Sequence, residues 1–117
     1  MPSISEIQTT SVFVGVAFIK DEDYIVANCP ALELSSYGKT EEEARKRFAE
    51  ALSIFIEETT RMGTLHEVLT KLGWTLTVRS IVPPSRPNKE LYDLFQSGSV
   101  LALRPQSVEL PLSAVSN

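Results

Sequence analysis

One cysteine, one histidine and one tryptophan in 117 residues leave little material for side-chain chemistry. Cys29 cannot form an internal disulfide, and its place beside Pro30 at the end of an apolar stretch reads as a buried small hydrophobe rather than a reactive thiol. His66 has no companion at metal-ligand spacing, where three or four convergent ligands are needed. A nucleophile elbow and a phosphate-cradling glycine-rich loop are both missing. Positive charge is also short: 11 basic against 15 acidic residues give a formal charge of -4 and a pI near 5.0. There is no basic stripe of the kind that neutralises phosphates, so direct nucleic-acid binding is not expected. No stretch approaches the roughly 18 apolar residues of a membrane span, and the start lacks the basic segment of a secretory leader. The expectation is a cytoplasmic protein, not an enzyme, without cofactor or metal and without a membrane role.

What is present is core-forming material. At 43% hydrophobic and 22% charged, the chain fills one core but hardly two. Val12 to Ile19 is apolar on both alternating faces, with Val12, Val14, Val16 and Phe18 on one side and Phe13, Gly15, Ala17 and Ile19 on the other. Such a strand belongs in the middle of a sheet, and Gly15 leaves its second face shallow enough for close approach. Asp21-Glu22-Asp23 forms a polar turn, because successive carboxylates in a tight turn diverge instead of converging on a metal. Tyr24 to Cys29 returns as the antiparallel partner, Pro30 ends it, and Leu34 to Tyr37 makes a third strand with Gly38 permitting a sharp exit.

Thr40 followed by Glu43 is a capping-box signature, and Glu41 and Glu42 suit the positive end of the helix dipole. Ala44, Phe48, Ala51, Leu52 and Phe55 make one apolar stripe, while Glu41/Arg45, Glu42/Lys46 and Glu43/Arg47 stand at i,i+4 on the other face. Met62-Gly63 ends this helix. Thr64 with Glu67 offers a second capping box for a shorter helix through Leu65, Val68, Leu69 and Leu72, closed by Gly73. Trp74, Leu76 and Val78 then alternate as a fourth strand. Three prolines between Pro83 and Pro87 mark a boundary, dividing an α+β domain over residues 1–82 from a linker and C-terminal arm over 83–117. In that arm Leu91, Leu94 and Phe95 suggest a short helix ending at Gly98. Val100 to Leu103 and Val108 to Leu112 suggest two β segments, with Pro111 confining the last to an edge.

The order β-β-β-α-α-β, with Tyr24-Ile25-Val26-Ala27-Asn28-Cys29-Pro30-Ala31-Leu32 leading into Ser36-Tyr37-Gly38-Lys39-Thr40-Glu41-Glu42-Glu43-Ala44, resembles the HicB-like antitoxin family. The first segment is similar to that family's aromatic-to-Pro-x-Leu strand end. The second is similar to its Gly-x-Thr entry to the helix, and Glu50-Ala51-Leu52 matches a further Glu-Ala-hydrophobe step. The resemblance covers Val12 to Val82. It implies a small antiparallel sheet with helices on one face, a partial RNase H-like fold without nuclease activity, and a protein that blocks a small basic RNA-cleaving toxin of the HicA type. Many members resemble fusions to a DNA-binding module; the residues after Pro83 match none, so operator binding is not carried over.

Partner contacts are expected at Tyr24 and Tyr37, a residue type enriched at interfaces, and at Glu33, which stands where relatives often carry glycine or cysteine. Val100 and Leu110 join them, because the arm is too apolar for a free tail. Gly15, Gly38, Thr40, Glu43 and Gly73 are expected to be structural. A strand greasy on both sides needs a cover that one helical layer cannot supply. Self-association through the sheet or by exchange of the arm is one expectation. Docking of a basic toxin-like protein is the other, and an orphan homo-oligomeric adaptor with no toxin is the alternative.

Overall fold

The computed structural model describes residues 8–77, 80–84 and 99–115. It is an α+β protein with nine described elements: β1 (Thr9–Asp21), β2 (Tyr24–Cys29), β3 (Leu34–Gly38), α1 (Glu41–Arg61), α2 (Leu65–Lys71), β4 (Thr75–Thr77), β5 (Ser80–Val82), β6 (Val100–Pro111) and α3 (Leu112–Val115). Four strands form an antiparallel sheet in the order β3-β2-β1-β6, and β4 and β5 form a separate hairpin. The strand with two apolar faces is indeed central. It pairs with β2 from Ala17↔Asn28 to Asp21↔Tyr24 and with β6 from Thr9↔Pro111 to Ile19↔Val100.

The fourth strand of the sheet is therefore not the Trp74 segment. Trp74 precedes β4 and is buried, and its indole N–H donates to the Ala31 carbonyl at 2.8 Å, tying the loop after β2 to the end of α2. Among the described residues, 75–77 pair with 80–82 alone, with Leu76↔Ile81 at the centre. The missing strand comes from beyond Pro83, from the segment read as an arm. The expected break at Arg104-Pro105-Gln106 is absent, and one strand of 12 residues runs through it. The ladder explains how. Leu112 N–H donates to the Gln8 carbonyl at 3.0 Å, so even-numbered residues near this end of β6 turn their backbone groups toward β1 and odd-numbered ones turn outward. Pro105 and Pro111 both fall in the outward phase, where a missing N–H interrupts nothing. The proposed helix at Leu91, Leu94 and Phe95, its end at Gly98, and Val78 lie outside the described residues.

Local sequence explains the long helix. Thr40 Oγ1 accepts from Glu43 N–H at 3.0 Å with extended backbone at the cap. The Glu43 carboxylate does not reach back to complete the box, but pairs with Arg47 at 3.3 Å. Glu41 reaches past Arg45 to Arg104 of β6, at 3.4 Å. At the second helix Thr64 makes no side-chain cap, because its ψ of 2° is not the extended cap conformation; Glu67 instead pairs with Lys71 at 3.0 Å. Gly73, at φ +95°, ends that helix as expected.

One face of the sheet and the stripe Ala44, Phe48 and Leu52 make the core, joined by Leu65 and Leu69 of α2, Val108 and Leu110 of β6 and Val115 of α3. Gly38 has no positive φ; its role is contact. A Cβ there would lie 2.7 Å from Ala44 N, which is backbone and cannot swing aside. Gly38→Ala should push the start of α1 off β3 and cost about 1–3 kcal/mol, read as a lower urea midpoint.

Candidate docking face

Helix α1 lies on the side of the sheet reached by Val14, Val16 and Phe18, and the odd-numbered residues of β1 turn to the other side. The ladder places Tyr37 of β3, Val26 and Tyr24 of β2, and Leu103 and Pro105 of β6 on that reverse side as well, and alternation from Leu103 carries Leu101 there at the bulge opposite Phe18 and Ile19. Much of it is open to solvent. Phe13 is 67% exposed, Tyr37 56%, Leu103 51%, Leu101 50% and Tyr24 44%. The two tyrosine rings meet edge to face with centroids 5.5 Å apart, fixing an aromatic corner where the β1–β2 turn begins. Ala17 and Ile19 on the same side are buried.

Aromatic side chains carry roughly 150–250 Å² each, so these five residues leave on the order of 500 Å² uncovered. That is near the top of what a monomer ordinarily shows in one patch, and below the roughly 800 Å² per partner of a standard interface. Gly15 sits exposed in the middle of the strip, and a Cβ there would meet nothing within 4 Å. Packing inside the chain does not require glycine at this point, although glycine weakens a strand interior.

Among the described residues, charge on the reverse face is confined to its ends. Asp21 and the turn Glu22-Asp23 lie at the tyrosine corner, and Glu22 adopts φ +54° in the two-residue connection between Asp21 and Tyr24. At the opposite end Glu109 accepts hydrogen bonds from Ser11 and from Thr9, the latter at 3.0 Å. Those hydroxyls, Ser11 foremost, hold the Glu109 carboxyl below its ordinary range.

The structure distributes the expected partner residues unevenly. Tyr24 and Tyr37 come together on the open face. Glu33 is exposed in the turn between β2 and β3, at φ +50°, away from that corner. Val100 is half-buried opposite Ile19. Leu110 is fully buried in the core and is a packing residue, because its even position in β6 points to the helical side. Phe13, Leu101 and Leu103 are the larger part of the face. Alternation in β1 signals Phe13, whereas the two leucines become visible only once β6 is placed beside β1.

Among the described residues no three of His, Cys, Asp and Glu gather as a metal site, and no helix is long and apolar enough to cross a membrane. Burial pushes the Cys29 thiol above its ordinary value of 9.0, outweighing backbone hydrogen bonds from Leu32 and Ala31. The folded protein thus favours the protonated thiol, while the unfolded chain releases the proton first. Stability from this group is intact below about pH 9 and declines above it. Cys29 should resist a thiol reagent such as DTNB at pH 8 and react once urea unfolds the protein; immediate stoichiometric reaction would contradict its burial. In comparisons with known proteins, no family model, no curated protein and no solved structure matches this chain.

Proposed function

We propose that this chain is a non-catalytic protein-docking domain of the HicB-like antitoxin kind, acting in the cytoplasm by covering the RNA-binding surface of a small basic toxin-like protein. The observation that carries this reading is the open apolar strip from Phe13 to the Tyr24–Tyr37 corner. Burying such a surface on a partner is favourable at roughly 25 cal/mol per Å². The acidic turn beside the tyrosines and the net charge of -4 suit a basic partner and speed its encounter. The test is co-expression with a neighbouring small basic open reading frame. Growth rescue with co-purification supports the reading, and absence of both removes it.

A second reading, a homo-oligomeric adaptor, is favoured by the lack of charge across the middle of the strip. Two copies of an acidic chain can meet there without opposing like charges. A light-scattering mass of one chain at micromolar concentration would dismiss it.

A further inference from the structure

A single helix about 10–12 Å across cannot roof four strands spaced roughly 4.8 Å apart and also cover their flanks. On the β6 flank a cleft of about 570 Å³ remains between α1 and the strand. Leu52, Ile56 and Val108 supply its apolar lining and Ala49 lies along its helical side. It opens on the helical side of the sheet, at the β6 edge, away from the Tyr24–Tyr37 corner of the reverse face.

The cleft runs beside the outer edge of β6, which pairs with no further strand among the described residues. Leu112 donates to Gln8, and the uninterrupted register continues that phase through Leu110↔Thr10, Val108↔Val12 and Gln106↔Val14. Ser107 and Glu109 therefore turn their N–H and C=O groups away from β1. Pro105 and Pro111 bracket this window in the same phase and offer no donors, which limits any added strand to a few residues. Gln106 Nε2 donates to the outward Ser107 carbonyl at 3.1 Å, a solvent-exposed contact that an incoming backbone N–H can replace. Charge at the cleft is unbalanced. Glu57 stands at its rim, Glu109 projects from the same stretch of β6 to the reverse side, and the one cation among the described lining residues, Arg61, is held by Glu58.

We propose that the cleft between α1 and the outer edge of β6 is a strand-addition site for a short, extended, basic segment of a partner protein. The segment's backbone pairs with Ser107 and Glu109. Alternate side chains that are aliphatic enter the cleft over Leu52, Ile56 and Val108, and the intervening lysines or arginines emerge on the opposite side of the sheet beside Glu109, with Glu57 favouring positive charge at the cleft rim. Main-chain bonds give affinity in this mode, and pockets for alternate side chains give selectivity.

The test uses the full chain and a fluorescein-labelled peptide of about eight residues alternating valine and lysine, followed by fluorescence anisotropy and amide hydrogen exchange. Saturable binding with new protection at Ser107 and Glu109 is expected. Ser107→Pro should weaken it about tenfold or more by removing an outward donor that serves no internal ladder. Ala49→Trp should also weaken it by filling the cleft, without touching the strand if the proline variant folds poorly. A valine–glutamate peptide should not bind, and Tyr24→Ala/Tyr37→Ala, on the strands far from β6, should leave binding unchanged, separating this site from the tyrosine corner. No saturable binding up to about 1 mM, equal binding of the acidic peptide, or undiminished binding by Ala49→Trp would overturn the proposal. So would a two-chain mass that Ser107→Pro converts to one chain, since a second copy would then occupy the edge.

Discussion

Phe48→Ala is expected to lower the unfolding free energy by about 3–5 kcal/mol, the largest stability effect of any single substitution in α1. Phe48 is 1% exposed and lies in the cluster formed with Val14, Val16, Phe18, Ala44 and Leu52. Truncation removes the transfer energy of the ring and leaves a void that strand and helix backbones cannot close. A domain of this size has only about 5–15 kcal/mol in total, so the variant will be partly unfolded at modest urea concentrations. Ile54 is the internal control. It projects from the same helix at 61% exposure, and Ile54→Ala should change stability by no more than about 0.5 kcal/mol. Urea melts with equal m-values for the two variants would make the comparison direct. Equal midpoints would show that α1 does not pack on the sheet through Phe48.

The second large effect is on docking. Phe13→Glu combined with Leu103→Glu places two carboxylates on the β1–β6 part of the reverse face. Another copy seated there would have to bury like charges without compensation, and a basic toxin-like protein would have to desolvate two carboxylates where the parent offers an apolar fit, in either case at a cost well beyond ordinary interface contacts. Binding should fall by at least about a hundredfold, measured as loss of co-purification or as a shift to single-chain mass. The same double variant should melt within about 0.5 kcal/mol of the parent, because both side chains are more than half exposed. Normal assembly by a stably folded double variant would remove the reverse face from consideration. Tyr37→Ala probes the other end of the strip, where loss of the edge-to-face contact with Tyr24 weakens docking while leaving the core alone.

Local signals were legible wherever neighbours in sequence are also neighbours in space. The turn at Asp21-Glu22-Asp23, the end of β2 at Pro30, the Thr40 cap and the glycine closing α2 all follow from backbone preferences acting within a few residues. The Thr64 cap failed for an equally local reason, a backbone angle set by the preceding turn. Placement of the fourth strand was not legible. The Trp74 segment and the β6 segment both alternate, and only the long pairing of β6 with β1 decides between them. Proline misled in the same way: Pro105 looks like a break until the ladder phase shows its nitrogen facing outward.

Sequence by itself determined that β1 carries apolar side chains to both sides, since a period of two fixes which residues share a face whatever else the chain does. It also determined that the helix after Thr40 has one greasy stripe and hence covers one side only. Tertiary structure decided the rest. It set β6 on the free flank of β1, sent Leu110 inward and Leu101 and Leu103 outward, brought Tyr24 against Tyr37, and left a cleft under α1. Those outcomes depend on contacts between residues far apart in the chain, whose pairing is chosen by the whole core at once rather than by any segment alone.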